Sequence, residues 1–207
     1  MKTAPRSTRP GGYHDTGPGG LDAEKFARWY RDEMTRLWRE LDLEALSRAA
    51  ALVLDARAKG RHVFIMGNGG SAAAASHMAV DFSKTAEAKG KPRVKSLSLT
   101  DNVPFLSAVA NDHSFDAAFE HQLDPLLKPK DVVILITGSG NSPNLIRAAR
   151  LSRRRGAATV GLLGFDGGAL RRLVDVPLLI PSVQYGAIED MHMSIGHIIA
   201  FYLKQAR

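Results

Sequence analysis

Five apolar runs of strand length, separated by stretches of helical length, constrain this chain more than any other feature. They are HVFIM (62–66), VKSLS (94–98), VVILI (132–136), ATVGLL (158–163) and VPLLI (176–180). Such near-continuous apolar runs are expected of strands covered on both faces. Between them the pattern predicts helices over 71–83, 103–111, 115–127, 142–155 and 168–173, with a last helix over about 187–205. Strand and helix in alternation mean a parallel sheet with helical layers on either side. The chain is therefore predicted to be an α/β protein, a three-layer αβα arrangement on a five-stranded parallel sheet.

Two helices precede the first strand. In the first, from Leu21 to about Arg39, Phe26, Trp29, Tyr30, Met34 and Leu37 recur at helical spacing. The second runs from about Asp42 to Lys59, with Gly60 placed as a C-cap. Their aromatic content predicts a face that packs on the domain or on another subunit. Residues 1–20 are rich in Pro, Gly, Ser and Thr and lack apolar periodicity, so they read as a flexible tail. Residues 21–207 read as one domain.

The chain has 207 residues and no cysteine, which rules out disulfides, thiolate zinc sites and a cysteine nucleophile. This fits a reducing cytoplasm. No secretory segment is visible, and no apolar run approaches the ~18 residues that span a bilayer. Twenty-eight basic against 21 acidic residues give a formal charge of +7. The basic residues are spread along the chain, and the densest run, Arg153-Arg154-Arg155, ends a predicted helix, where cations suit the helix dipole. The charge therefore reads as solvated surface plus a few contacts to an anionic substrate, with neither nucleic acid nor membrane as partner.

Two strand-to-helix loops are of one chemical kind. Gly67-Asn68-Gly69-Gly70-Ser71 follows the first strand, and Thr137-Gly138-Ser139-Gly140-Asn141-Ser142 follows the third. Each places glycines where backbone meets ligand and a serine at a helix start, where free amides and the helix dipole favour an anion. The first has the spacing of neither a P-loop nor a dinucleotide fingerprint. Asn68, Gly69, Gly70, Ser71, Thr137, Ser139 and Ser142 are the expected contacts to the phosphate of a small molecule bound across the sheet edge.

The helix opened by the first loop carries His77 and Asp81, which share a face at i,i+4 spacing. The last helix carries Glu189 and His197 in AIEDMHMSIGHII, with His192 off their line. Were the two helices to meet, His77, Asp81, Glu189 and His197 would form a set of two histidines and two carboxylates. That set suits Zn²⁺ or a similar divalent ion. It equally suits metal-free proton transfer, with a carboxylate as base and a histidine as acid.

GNGGSAAAASHMAVDFSK, SLTDN, VANDHSFDAAFEHQL, ITGSGNSPNLIRAA and AIEDMHMSIGHII stand in the order seen in the phosphoheptose isomerases, a branch of the sugar isomerase (SIS) superfamily. The resemblance spans about residues 22–205. It implies the SIS fold and an aldose–ketose isomerisation of sedoheptulose 7-phosphate to D-glycero-D-manno-heptose 7-phosphate through a cis-enediol. By resemblance, Ser71, Thr137, Ser139 and Ser142 hold the phosphate, and the Asn111-Asp112 pair lies near the substrate. Asp81, Glu189 and His197 take the catalytic positions. His77, Asp81, Glu189 and His197 take the positions on which some members carry zinc. Similar proteins form homotetramers with sites shared between subunits.

Three departures stand out. Asp81 replaces the family's usual glutamate, Glu189 its usual glutamine, and Thr137-Gly138-Ser139 its usual Ser-Thr-Ser. Asp81 is one methylene shorter, and Glu189 adds a carboxylate that could act as base. The altered Thr137-Gly138 loop leaves a close ketose phosphate as another substrate, or a sugar-phosphate sensor. The alternative to an enzyme is a non-catalytic SIS protein that binds a phosphosugar or a partner, as the relative that binds the replication initiator does without the catalytic acid. This chain keeps a carboxylate at 81 and histidines at 77 and 197.

Overall fold

The structure, a computed structural model, describes residues 17–206. The expected tail lies mostly outside the described residues. Helices α1 (Ala23–Glu40) and α2 (Leu43–Ala58) come first, each started by an aspartate N-cap: Asp22 accepts from the Lys25 amide and Asp42 from the Ala45 amide. Strand β1 (His62–Gly67) leads into α3 (Gly70–Val80), which continues as a π-helical turn over Asp81–Thr85. Then follow β2 (Lys95–Ser98), α4 (Val103–Asp112), a 3₁₀ turn (Phe115–Ala117), α5 (Ala118–Leu123), β3 (Val132–Thr137) and α6 (Pro143–Arg154). The chain closes with β4 (Ala158–Leu163), a 3₁₀ turn (Leu170–Arg172), β5 (Val176–Leu179) and the long α7 (Tyr185–Gln205).

The five strands pair in parallel in the order β2-β1-β3-β4-β5. The expected sheet is present, and each strand lies within a residue or two of its predicted run. Two predicted helices are shorter than expected. The stretch at 115–127 begins as a 3₁₀ turn and holds only the short α5, and that at 168–173 is a single 3₁₀ turn.

Side chains alternate along the strands and build two cores. One core takes Val63 and Ile65 of β1 and Ile134 and Ile136 of β3, and α1, α2, α3 and α7 cover it. The other takes Phe64, Met66, Val133 and Leu135, and α5 and α6 cover it. Helices α3 and α6 thus lie on opposite faces, although the strands that feed them, β1 and β3, are neighbours. This is the switch point of a doubly wound sheet, where the crevice between diverging loops takes ligands.

The N-terminal helices pack on this domain. Tyr30 Oη donates to Asp190 of α7 at 2.7 Å, Ser182 Oγ donates to Glu33 at 2.7 Å, and Arg36 reaches the Pro181 carbonyl. Leu37 is the one α1 residue fully buried in the core, whereas Trp38 is exposed. Among the described residues no helix is long and apolar enough to cross a membrane.

His192 is 1% exposed, and neither ring nitrogen meets a partner in hydrogen-bond geometry; the Leu163 backbone lies near enough only to oppose the burial effect weakly. Burial lowers its pKa to about 4. Unfolding restores the ordinary value near 6.5, so the unfolded chain binds a proton here before the folded one does. The stability tied to a neutral His192 is full above pH 6.5 and is lost as pH falls toward 4, by roughly 3 kcal/mol in all. Urea denaturation of wild type and His192→Leu between pH 7 and pH 4 should give a shallower decline for the variant; parallel curves would contradict this.

Candidate functional site

The two loops lie side by side because β1 and β3 are paired up to Gly67 and Ile136. Among the described residues the amides of Gly69 and Gly70 find no acceptor, and the Ser71 and Ser142 side chains make no hydrogen bond. Ser142 is the N-cap of α6, with Pro143 following at the first helical position, yet its side chain makes no capping bond. Donors left open at two helix starts on one sheet edge form an anion cradle. Thr137 is 5% exposed; its Oγ1 accepts from the Gly140 amide at 3.2 Å, which leaves its own proton free to donate. Ser139 Oγ accepts from the Asn141 amide.

The side chain of Asn68, an expected substrate contact, is turned on a neighbour. Its amide and that of Asn144, at the second position of α6, exchange two hydrogen bonds at 3.0 and 2.9 Å.

Helices α3 and α7 meet where Gly196 lies against Met78, and this contact brings three of the four expected residues together. His77 Nε2 and His197 Nε2 are 3.4 Å apart, and each faces Asp81 Oδ2, at 3.4 and 3.5 Å. Tetrahedral Zn²⁺, with bonds of about 2.0–2.2 Å to imidazole nitrogen and carboxylate oxygen, sets its donors roughly 3.3–3.6 Å apart. The three observed edges match one triangular face of such a tetrahedron, leaving a fourth position open. The donor set therefore fits a divalent cation. Asp81 is 8% exposed and begins the π-helical turn; its Oδ1 accepts from Thr85 Oγ1 at 2.8 Å, which leaves Oδ2 toward the imidazoles. Thr85 was not expected from the sequence, although its place four residues after Asp81 carries the signal.

Glu189 stands apart from this trio. Its carboxylate lies against Gly70 of the first loop, so close that a β carbon there would be 2.3 Å from Oε1. Burial first, and the neighbouring Asp190 second, raise the Glu189 pKa above the ordinary glutamate value. Asp112 ends α4 and is exposed; it accepts from the Asn111 side chain at 2.8 Å and, among the described residues, makes no hydrogen bond to the residues above.

The glycine of Thr137-Gly138-Ser139 has a local cause. The Tyr185 ring, at the first position of α7, fills the space where a side chain would stand, and a β carbon at 138 would lie 2.5 Å from it. Tyr185 in turn packs edge-on against Phe165, with ring centroids 5.1 Å apart.

Comparisons with known proteins bear on the family and the fold. A model of the SIS domain matches residues 29–164. The chain is similar to a phosphoheptose isomerase of Pelobacter propionicus, 40% identical over 157 residues that make up 76% of this chain and 82% of the relative. It is 42% identical to one of Geobacter sulfurreducens over 76% of this chain and 87% of that one. Among solved structures it is similar to the phosphoheptose isomerase GmhA of Neisseria gonorrhoeae. There the TM-score is 0.82 at 27% identity, covering 89% of this chain and 100% of the other.

The packing at 138 gives a test. Gly138→Thr should cost about 1–3 kcal/mol by overpacking. Tyr185→Ala in the same chain should recover part of that, so that the two changes are strongly non-additive in urea denaturation. Additive losses would show that the ring does not dictate the glycine.

Proposed function

Because the chain belongs to the phosphoheptose isomerase family of SIS-domain proteins, we propose that it interconverts sedoheptulose 7-phosphate and D-glycero-D-manno-heptose 7-phosphate through a cis-enediol. The observation that supports the reading is an imidazole–carboxylate cluster whose His77 lies on the helix that the first loop opens, with a separate glutamate whose carboxylate lies against Gly70 of that loop. The phosphate sits on the open amides of Gly69 and Gly70 and the hydroxyls of Ser71, Thr137, Ser139 and Ser142. Asp112 completes the substrate contacts from the end of α4 of a neighbouring subunit.

Glu189 is the base. It lies against the first loop, burial and the neighbouring Asp190 raise its proton affinity above that of an ordinary glutamate, and Asp81 is already engaged by Thr85 and two imidazoles. Glu189 removes the proton from the carbon beside the carbonyl and returns it to the adjacent carbon. Without a metal, His197 passes the second proton between the two substrate oxygens; with its Nε2 on a cation it would serve as a ligand instead. His77, Asp81 and His197 would hold Zn²⁺, which when bound polarises those oxygens.

Residues 21–207 act as one SIS domain of a cytoplasmic homotetramer. Ile198, Phe201 and Tyr202, exposed along α7, supply apolar surface for assembly.

Two substitutions separate the carboxylates. Glu189→Gln should lower kcat on sedoheptulose 7-phosphate by about 10²–10⁴-fold and leave Zn²⁺ affinity unchanged. Asp81→Asn should weaken Zn²⁺ binding measured by calorimetry. Full turnover in Glu189→Gln would remove it as base; unchanged Zn²⁺ affinity in Asp81→Asn would remove Asp81 from the cation site.

A further inference from the structure

The crevice at the switch point has a weakness inherent in its topology. Beyond Gly67 and Ile136 the two loops part toward opposite faces of the sheet, and among the described residues they exchange no backbone hydrogen bond. A phosphate held by hydroxyls and amides from both loops needs their separation fixed before it arrives, since every donor that must be repositioned costs affinity. The sheet fixes Gly67 against Ile136, but Ser71 and Ser142 lie four and six residues further along the chain.

We propose that Asn144 is the positioning residue that sets this separation. It is 1% exposed and 76 residues from Asn68 in sequence, and its side chain makes three hydrogen bonds. Nδ2 donates to Asn68 Oδ1 at 2.9 Å, and Oδ1 accepts both from Asn68 Nδ2 at 3.0 Å and from the Leu145 amide at 2.9 Å. The pair is a closed two-bond bridge between amides, directional in both members. Asn144 stands two residues after Ser142 and on the first turn of α6, so the bridge ties the α6 start to the loop that holds Gly69, Gly70 and Ser71. Buried amides without partners are costly, so the bridge also resists slippage between the loops. The Asn144 side chain is buried and its oxygen already accepts twice, and these hydrogen bonds all go to the protein.

This inference rests on the reading of the two loops as the phosphate grip, and its test keeps the two apart by using inorganic phosphate as a probe. Asn68→Ala, Asn144→Ala and the double variant are compared with wild type. Three quantities are read: phosphate affinity by calorimetry, KM and kcat for sedoheptulose 7-phosphate, and thermal midpoint. Either single variant should weaken phosphate binding and raise KM by about tenfold, with kcat changed by less than about threefold, as for loss of uniform binding. The double variant should be no worse than either single one, because each single change already opens the bridge. Should Asn144→Ala not fold, Asn144→Ser replaces it; serine suits the first helical turn but is too short to reach Asn68. Wild-type phosphate affinity and KM in a variant with a lowered thermal midpoint would reduce Asn144 to a structural role. Losses that multiply to about a hundredfold in the double variant would show two independent residues. Phosphate binding that follows the expected pattern in a protein without isomerase activity would sustain the clamp and overturn the reaction. No phosphate binding by wild type would overturn both.

Discussion

The parallel pairing of β1 with β3 is the interaction on which the rest of the molecule depends. It places two glycine- and hydroxyl-rich loops at one sheet edge and sends the helices that follow them to opposite faces. Without that pairing each loop is an ordinary capped turn with weak pull on an anion. With it, donors from two helix starts converge, and the Asn68–Asn144 bridge closes the gap that the topology opens.

The same layer arrangement explains the chemistry. Helices α3 and α7 both cover the face built on Val63, Ile65, Ile134 and Ile136, so residues far apart in sequence share one helix contact. His77 and His197, 120 residues apart, meet at 3.4 Å over the buried carboxylate of Asp81. A carboxylate one methylene shorter than the family's glutamate reaches this point from the first residue of a π-helical turn, held by Thr85. The two acids differ in surroundings and partners. Asp81 is committed to the imidazoles, while Glu189 is left beside the phosphate loop with its proton affinity raised.

The sheet was legible in the sequence because each strand is a compact apolar run between helical patterns, and apolar burial on two faces leaves little choice of architecture. The loops were legible because glycine and serine cluster after two such runs. The pairing of His77, Asp81 and His197 was visible from helix spacing, if two helices met, and from the resemblance to the family. Glu189 was grouped with them by spacing along α7, but the structure sets its carboxylate at Gly70, since residues two turns apart lie about 12 Å apart along a helix axis. Asn144 left no signal, because an asparagine in a first helical turn looks like ordinary capping chemistry until its partner across the crevice is known. The Gly138 departure likewise made sense only once the Tyr185 ring was seen in the space of the missing side chain. The stretches at 115–127 and 168–173 were read as continuous helices because apolar spacing does not distinguish an α-helix from a run of 3₁₀ and isolated turns, whose backbone hydrogen bonds here continue to Leu127 and Val174.

A crystal structure with a bound heptulose phosphate would test the central claim most directly. The phosphate should lie between Ser71 and Ser142, with the sugar's carbonyl end directed toward His77, Asp81, His197 and Glu189. A phosphate bound elsewhere, or a sugar whose carbonyl end points away from all four side chains, would contradict the account.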